Sequence, residues 1–195
     1  GSEYVVFVPN SLTWHPRYKE IPQKKINEFY LRIVEILETK FADKKIVMLP
    51  QTYKSVINDY EYFLKLKDMS GNKNIIVIDE NQSSDVQQEI IKKSCLVIGA
   101  RYHSVVFSIN NEIPFVSLSY EHKMKGLLEV LNMTDRMVEI QDIFDDRTVE
   151  LENSLNKIDF LVSGKLEKPS AGQAREIVQN GFKRFADKIK KFKIR

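Results

Sequence analysis

The stretch Cys95-Leu96-Val97-Ile98-Gly99-Ala100-Arg101-Tyr102-His103-Ser104-Val105-Val106-Phe107-Ser108-Ile109 passes from one apolar segment through a glycine into a second of different period. Residues 95–98 read as a buried strand ending at Gly99, and Val105, Val106 and Ile109 as the inner side of a short helix. A strand without polar alternation is covered on both faces, as in a parallel sheet. The same unit recurs upstream. Residues 4–8, 46–50 and 75–78 are strand-like, the last closed by Asp79-Glu80-Asn81. Ile26 to Leu37 has helical spacing, as does Val56 to Leu66, which Gly71 ends. Ser84 is placed to cap the next helix, with Gln87 at the capping-box distance. Downstream, residues 114–119 form a fifth strand, Met124 to Leu131 a helix, and residues 137–140 a short sixth strand. Two helical pieces divided near Pro169 finish the chain. This order predicts an α/β fold: a doubly wound, mainly parallel, Rossmann-like sheet of about six strands with helices on both faces.

The 195 residues are 43% hydrophobic and 29% charged, the balance of one globular domain. Gly1-Ser2 reads as a scar of tag removal, which leaves residues 3–195 as a single domain excised from a longer protein. The net charge of +3 is unevenly spread: ten basic and three acidic residues follow Gly164, and a mildly acidic body precedes them. Such a body excludes a broad nucleic-acid surface. In the basic tail, Ile177, Val178, Gly181, Phe182, Phe185, Ile189 and Phe192 share one helical stripe. The expectation is a helix docked on its own domain with a solvated basic face, the alternative being a peripheral membrane contact. The lone cysteine, Cys95, excludes a disulfide framework and fits a reducing compartment. The expected location is therefore cytoplasmic, at the inner face of the membrane if the tail binds it. No apolar run approaches the ~20 residues that span a bilayer.

In open α/β sheets, ligands bind beyond the carboxyl ends of the strands. That rule selects the loops at residues 9–22, 50–55, 79–85, 99–104 and 119–123. None carries the dinucleotide fingerprint, a Walker loop or a nucleophile elbow, and His15, His103 and His122 lack metal-ligand spacing. No metal or cofactor is expected. The turn at Gly99 is the most informative, because it delivers a helix N-terminus, whose free N–H groups favour an anion, directly after a strand. Arg101 adds a planar two-pronged donor for carboxylate or phosphate, and His103 a donor or proton source near neutral pH. Gly99 allows the tight turn and leaves room for a ligand, with Ser104 in the first helical turn. The alternative is structural: Arg101 pairs with an acid and His103 caps the helix. Tyr120, Glu121 and Lys123 form a second polar cluster after the fifth strand. Asn10 and His15 sit on an aromatic loop that suits a sugar platform, a lid or a packed surface. Gln51 and Tyr53 follow the second strand as candidates to line the cleft.

Residues 99–109, then Ile113-Pro114-Phe115-Val116-Ser117-Leu118-Ser119-Tyr120 and Lys123, resemble the C-terminal half of the polysaccharide pyruvyl transferase family, with its G-x-R-x-H turn and P-x-V strand leading to a tyrosine and a lysine. The resemblance implies a GT-B-like enzyme of two Rossmann-like halves whose N-terminal domain is the missing partner of this one. It implies phosphoenolpyruvate as donor substrate and a saccharide of a cell-surface or exopolysaccharide as acceptor. Arg101 and His103 match the residues that hold the donor and assist transfer; an isolated half is expected to bind donor without turnover. Two other readings stay open: a GT-B glycosyltransferase using a nucleotide-sugar donor, and a non-catalytic domain that recognises an anionic glycan or assembles with a partner.

Overall fold

The structure is a computed structural model that describes residues 4–54, 57–79, 82–141, 143–144 and 148–192. Of the expected features, Gly1-Ser2, Val56 and the Glu80-Asn81 pair lie outside the described residues. Six short apolar segments become parallel strands: β1 (Tyr4–Val8), β2 (Lys45–Met48), β5 (Ile75–Val77), β6 (Val97–Gly99), β7 (Phe115–Ser119) and β8 (Met137–Glu139). Their spatial order is β5-β2-β1-β6-β7-β8. The central strands earn their lack of alternation: Val5 to Val8 and Val97 to Gly99 are buried along both faces.

The helices follow from the connections. Chain progress runs outward from β1 through β2 to β5, then returns to β6 and runs the other way. Because parallel crossovers are right-handed, this reversal moves the helices to the opposite face. On one face α1 (Gln23–Lys40) packs against α2 (Asp59–Ser70) and α6 (Thr148–Ser163). On the other lie α3 (Ser84–Lys92), α4 (Tyr102–Asn110) and α5 (His122–Val130), with the first turns of α7 (Ala171–Phe192). Helix α2 starts under the Asn58 side chain, which accepts from the Tyr60 and Glu61 amides, and ends at Gly71 in the left-handed conformation (φ 64°).

Three local features differ from expectation. The cap of α3 is Ser83, whose hydroxyl accepts from Val86 N, and Ser84 is the first helical residue. The Gln87 side chain donates to the Gln82 carbonyl, outside any capping box. Between β2 and α2 an antiparallel pair appears, β3 (Tyr53–Lys54) in the expected loop and β4 (Ile57–Asn58) where the helix was expected to have begun, so α2 starts only at Asp59. Among the described side chains the C-terminal helix is docked through its N-terminal turns: Ala171 is buried, whereas Phe182 and Phe185 are 69% and 62% exposed. Among the described residues no helix is long and apolar enough to cross a membrane.

Gly99 is required by close packing rather than by its backbone angles. A Cβ placed there would lie 2.9 Å from the Ser104 Cβ and overlap its Oγ. The room this glycine leaves is therefore filled by Ser104, whose hydroxyl is buried and donates to the Arg101 carbonyl. Gly99→Ala should cost about 1–3 kcal/mol in urea denaturation, and less in a Ser104→Ala background. By contrast, Phe182→Ser should stay within about 0.5 kcal/mol of the parent. Ile158→Ala, at a fully buried position of α6, should cost about 2–5 kcal/mol in the same assay.

Candidate functional site

The reversal of strand order falls between β1 and β6, so their carboxyl ends open the crevice where α/β sheets bind ligands. Four of the expected residues gather at the carboxyl ends of the strands: Asn10 after β1, Gln51 after β2, Arg101 after β6 and Tyr120 after β7. Asn10 is fully buried. Its Oδ1 accepts from Leu12 N (3.1 Å) and Trp14 Nε1 (3.3 Å), while its Nδ2 has no acceptor. The first of these bonds holds Leu12 at φ 59°, a left-handed angle that a leucine adopts only under constraint.

Arg101 is the N-cap residue of α4 and is only 8% exposed. Its guanidinium donates through an Nη to Asp59 Oδ1. Asp59 Oδ2 in turn accepts from the amides of Gln51 and Thr52 (both 3.0 Å), and the Asp59 amide donates to the Thr52 carbonyl (3.0 Å). Arg101 therefore does pair with an acid. Its Nε remains buried without an acceptor. Burial pushes the Asp59 carboxyl above the usual range, and the Arg101 cation together with the two amides pulls it back. The Gln51 side chain leans onto α3, donating to Gln87 Oε1 (3.2 Å), and its own Oε1 is buried without a donor.

Two residues of the cluster gave no signal of a role in the sequence. Asp59 stands at the start of α2, 42 positions before Arg101, and nothing local distinguishes it from any acid in a first helical turn. Tyr30 lies on the apolar stripe of α1 and reads as core, yet its buried hydroxyl faces the Asn10 backbone and lacks a hydrogen-bond partner. Burial raises the Tyr30 phenol. It also raises Tyr120, to about 12, against the opposing pull of Arg101 and a contact with Asn10.

The remaining candidates sit at the rim. His103 is exposed on the first turn of α4, its ring 5.8 Å from that of Phe107, and no cap bond of its own is seen. Lys123 lies on the first turn of α5, with Nζ 4.1 Å above the Tyr102 ring. Neither α4 nor α5 has a side-chain cap; the third amide of each, Ser104 and Met124, bonds back to the Arg101 or Glu121 carbonyl (3.2 Å), and the earlier amides of such a helix start favour an anion. The loop after β1 is a packed aromatic surface. Tyr120 meets Trp14, His15 and Tyr18 edge-on at 5.8–6.3 Å, and the Tyr18 hydroxyl donates to the Tyr120 carbonyl (3.1 Å). Glu121 lies 3.8 Å from His15 Nε2 and makes no contact with Arg101. A pocket of about 240 Å³ opens here between His15, Arg17, Tyr120, Glu121, Lys123 and Gln141. Tyr53 turns back to donate to the Pro50 carbonyl (2.6 Å). Among the described residues no group of three His, Cys, Asp or Glu side chains is placed to hold a metal ion.

Comparison with known proteins converges on one family. The sequence profile of polysaccharide pyruvyl transferases matches residues 10–122. Over 81 residues the chain is 31% identical to the amylovoran biosynthesis protein AmsJ of Erwinia amylovora, a match covering 41% of this chain and 19% of that protein. In fold it resembles the UDP-GlcNAc 2-epimerase of Methanocaldococcus jannaschii, solved with UDP-GlcNAc and UDP, at TM-score 0.52 and 14% identity over 90% of this chain. A looser likeness, TM-score 0.46 at 11% identity over 94% of this chain, links it to the O-GlcNAc transferase of Thermobaculum terrenum. The chain spans 44% and 36% of the length of these two structures. With one Rossmann-like sheet, a G-x-R-x-H turn at its switch point and a family match across more than half its length, the chain belongs to the polysaccharide pyruvyl transferase family.

Proposed function

We propose that this chain is the donor-binding half of an enzyme that moves the pyruvyl group of phosphoenolpyruvate onto a saccharide of a cell-surface polysaccharide. The observation that carries the reading is the uncapped start of α4 next to the fixed Arg101 at the β1–β6 switch point. Phosphoenolpyruvate brings a carboxylate and a phosphate, and open helix amides with a planar guanidinium suit both groups. In the reaction the methylene carbon takes a proton and becomes a methyl group. Two sugar hydroxyl oxygens bond to the neighbouring carbon, and the bond from that carbon to the phosphate oxygen breaks. Of the two hydroxyl protons, one balances the proton gained by the methyl group and the other leaves with phosphate. Arg101 holds the donor anion, and His103, exposed at the mouth of the turn, serves as acid or phosphate ligand. Tyr120 and Lys123 line the pocket beside the next strand end, and Lys123 reaches back over the Tyr102 ring of α4.

In this reading the acceptor sugar is bound by the N-terminal half of the longer polypeptide. The present chain then binds donor without turning it over, and needs no metal or cofactor.

Isothermal titration of the chain with phosphoenolpyruvate tests the proposal. Binding should weaken at least about tenfold in Arg101→Lys, since lysine keeps the charge and loses the planar fork. UDP-N-acetylglucosamine, the ligand of the archaeal epimerase, should fail to compete. Competition by the nucleotide sugar, with no affinity for phosphoenolpyruvate, would assign the cleft to a nucleotide-sugar donor instead.

A further inference from the structure

The geometry points to Asp59 as the positioning residue of the donor site: it aims the Arg101 guanidinium and holds it still. The inference rests on the donor-binding reading of Arg101 and adds to it a residue from a different part of the chain. Arg101 projects from the N-cap of α4, a place where a long side chain has many rotamers. Here its tip is tethered, because an Nη is bonded to Asp59 Oδ1. Asp59 has no freedom either. Its second oxygen takes the amides of Gln51 and Thr52, its own amide bonds to the Thr52 carbonyl, and its backbone is the first turn of α2. A carboxylate there is also favoured by the positive end of the α2 dipole.

The β3–β4 hairpin is thus closed onto Asp59, and through it onto the mouth of β6. Two donors stay unanswered beside this pair, the Arg101 Nε and the Asn10 Nδ2. Buried donors without acceptors are costly, and at a strand end that faces the crevice a ligand anion can supply the acceptor. Asp59 offsets part of the Arg101 charge, but it saves the ordering of a flexible side chain on binding, and this positioning is the larger effect on an incoming anion. Asp59 touches no substrate in this arrangement; it acts through Arg101.

The test compares the 195-residue chain with Asp59→Asn, Arg101→Lys and the double variant, all shown folded by circular dichroism at 10 °C. Affinities for phosphoenolpyruvate and for inorganic phosphate are measured by titration calorimetry. Asp59→Asn should weaken both anions about tenfold in the parent and less than about twofold in the Arg101→Lys background. A purely structural Asp59 would lower the melting temperature and leave affinity alone. If Asp59→Asn does not fold, Asp59→Glu replaces it, expected to fold and to bind more weakly because the longer arm displaces the guanidinium. Parent-like affinity in either folded variant overturns the proposal, as does an equal loss in both backgrounds or a parent chain that binds neither anion. Phosphate binding with this dependence, but no binding of phosphoenolpyruvate, would sink the transferase reading and leave Asp59 in place. Loss of phosphoenolpyruvate binding in Arg101→Lys with none in Asp59→Asn would do the reverse.

Discussion

A guanidinium withdrawn from water must be met by an anion, since the unpaired ion costs several kcal/mol even after the protein relaxes. In this chain that demand falls on Arg101, and Asp59 answers it. The consequences spread in both directions. Towards the sheet, the pair anchors the N-cap residue of α4 at the end of β6. Towards the periphery, it closes the loop after β2, because the carboxylate that holds Arg101 also takes the amides of Gln51 and Thr52. A single buried pair thereby ties together the ends of β2 and β6, which flank β1 in the sheet.

The sheet supplies what the pair cannot. Only where strand order reverses do the connections diverge and leave a crevice, and β1 and β6 flank that point. Asn10 and Arg101 are brought together by this topology alone. Both carry buried donors without acceptors, as Tyr30 carries an unpartnered hydroxyl. Other buried polar groups are matched, as where Asn27 Oδ1 accepts from the Tyr62 hydroxyl and Ser108 donates to the Ser104 carbonyl. Atoms of Asn72, Ser117 and Arg136 are also buried without partners, so what sets Asn10 and Arg101 apart is their place at the strand ends flanking the reversal.

Much of the fold was legible because it rests on local rules. The apolar runs at β1 and β6 are strands since nothing polar interrupts them, and Gly71 ends α2 because a left-handed residue is needed there. Errors arose where two local solutions compete. Ser83 and Ser84 are equally good caps by type, and the choice between them depends on where α3 meets its neighbours. The β3–β4 hairpin is too short to show a period. Gly99 reads as making space for a ligand, although the space goes to Ser104, five residues further on in the first turn of α4. The stripe on α7 was correct as a pattern, but a pattern does not say how far along the helix the domain extends to cover it.

The sequence by itself determined the α/β class, the parallel sheet, the G-x-R-x-H turn at a strand end and the family those residues resemble, because each depends on neighbours within one or two turns of chain. Tertiary structure alone decided what Arg101 is. Local residues left it equally suited to a ligand or to a structural acid, and the fold gives it the acid while leaving its Nε without a partner. That outcome depends on Asp59, 42 positions earlier, reaching the same point by way of a hairpin and a sheet. No local periodicity encodes such a meeting; the cost of burying an unpaired charge does.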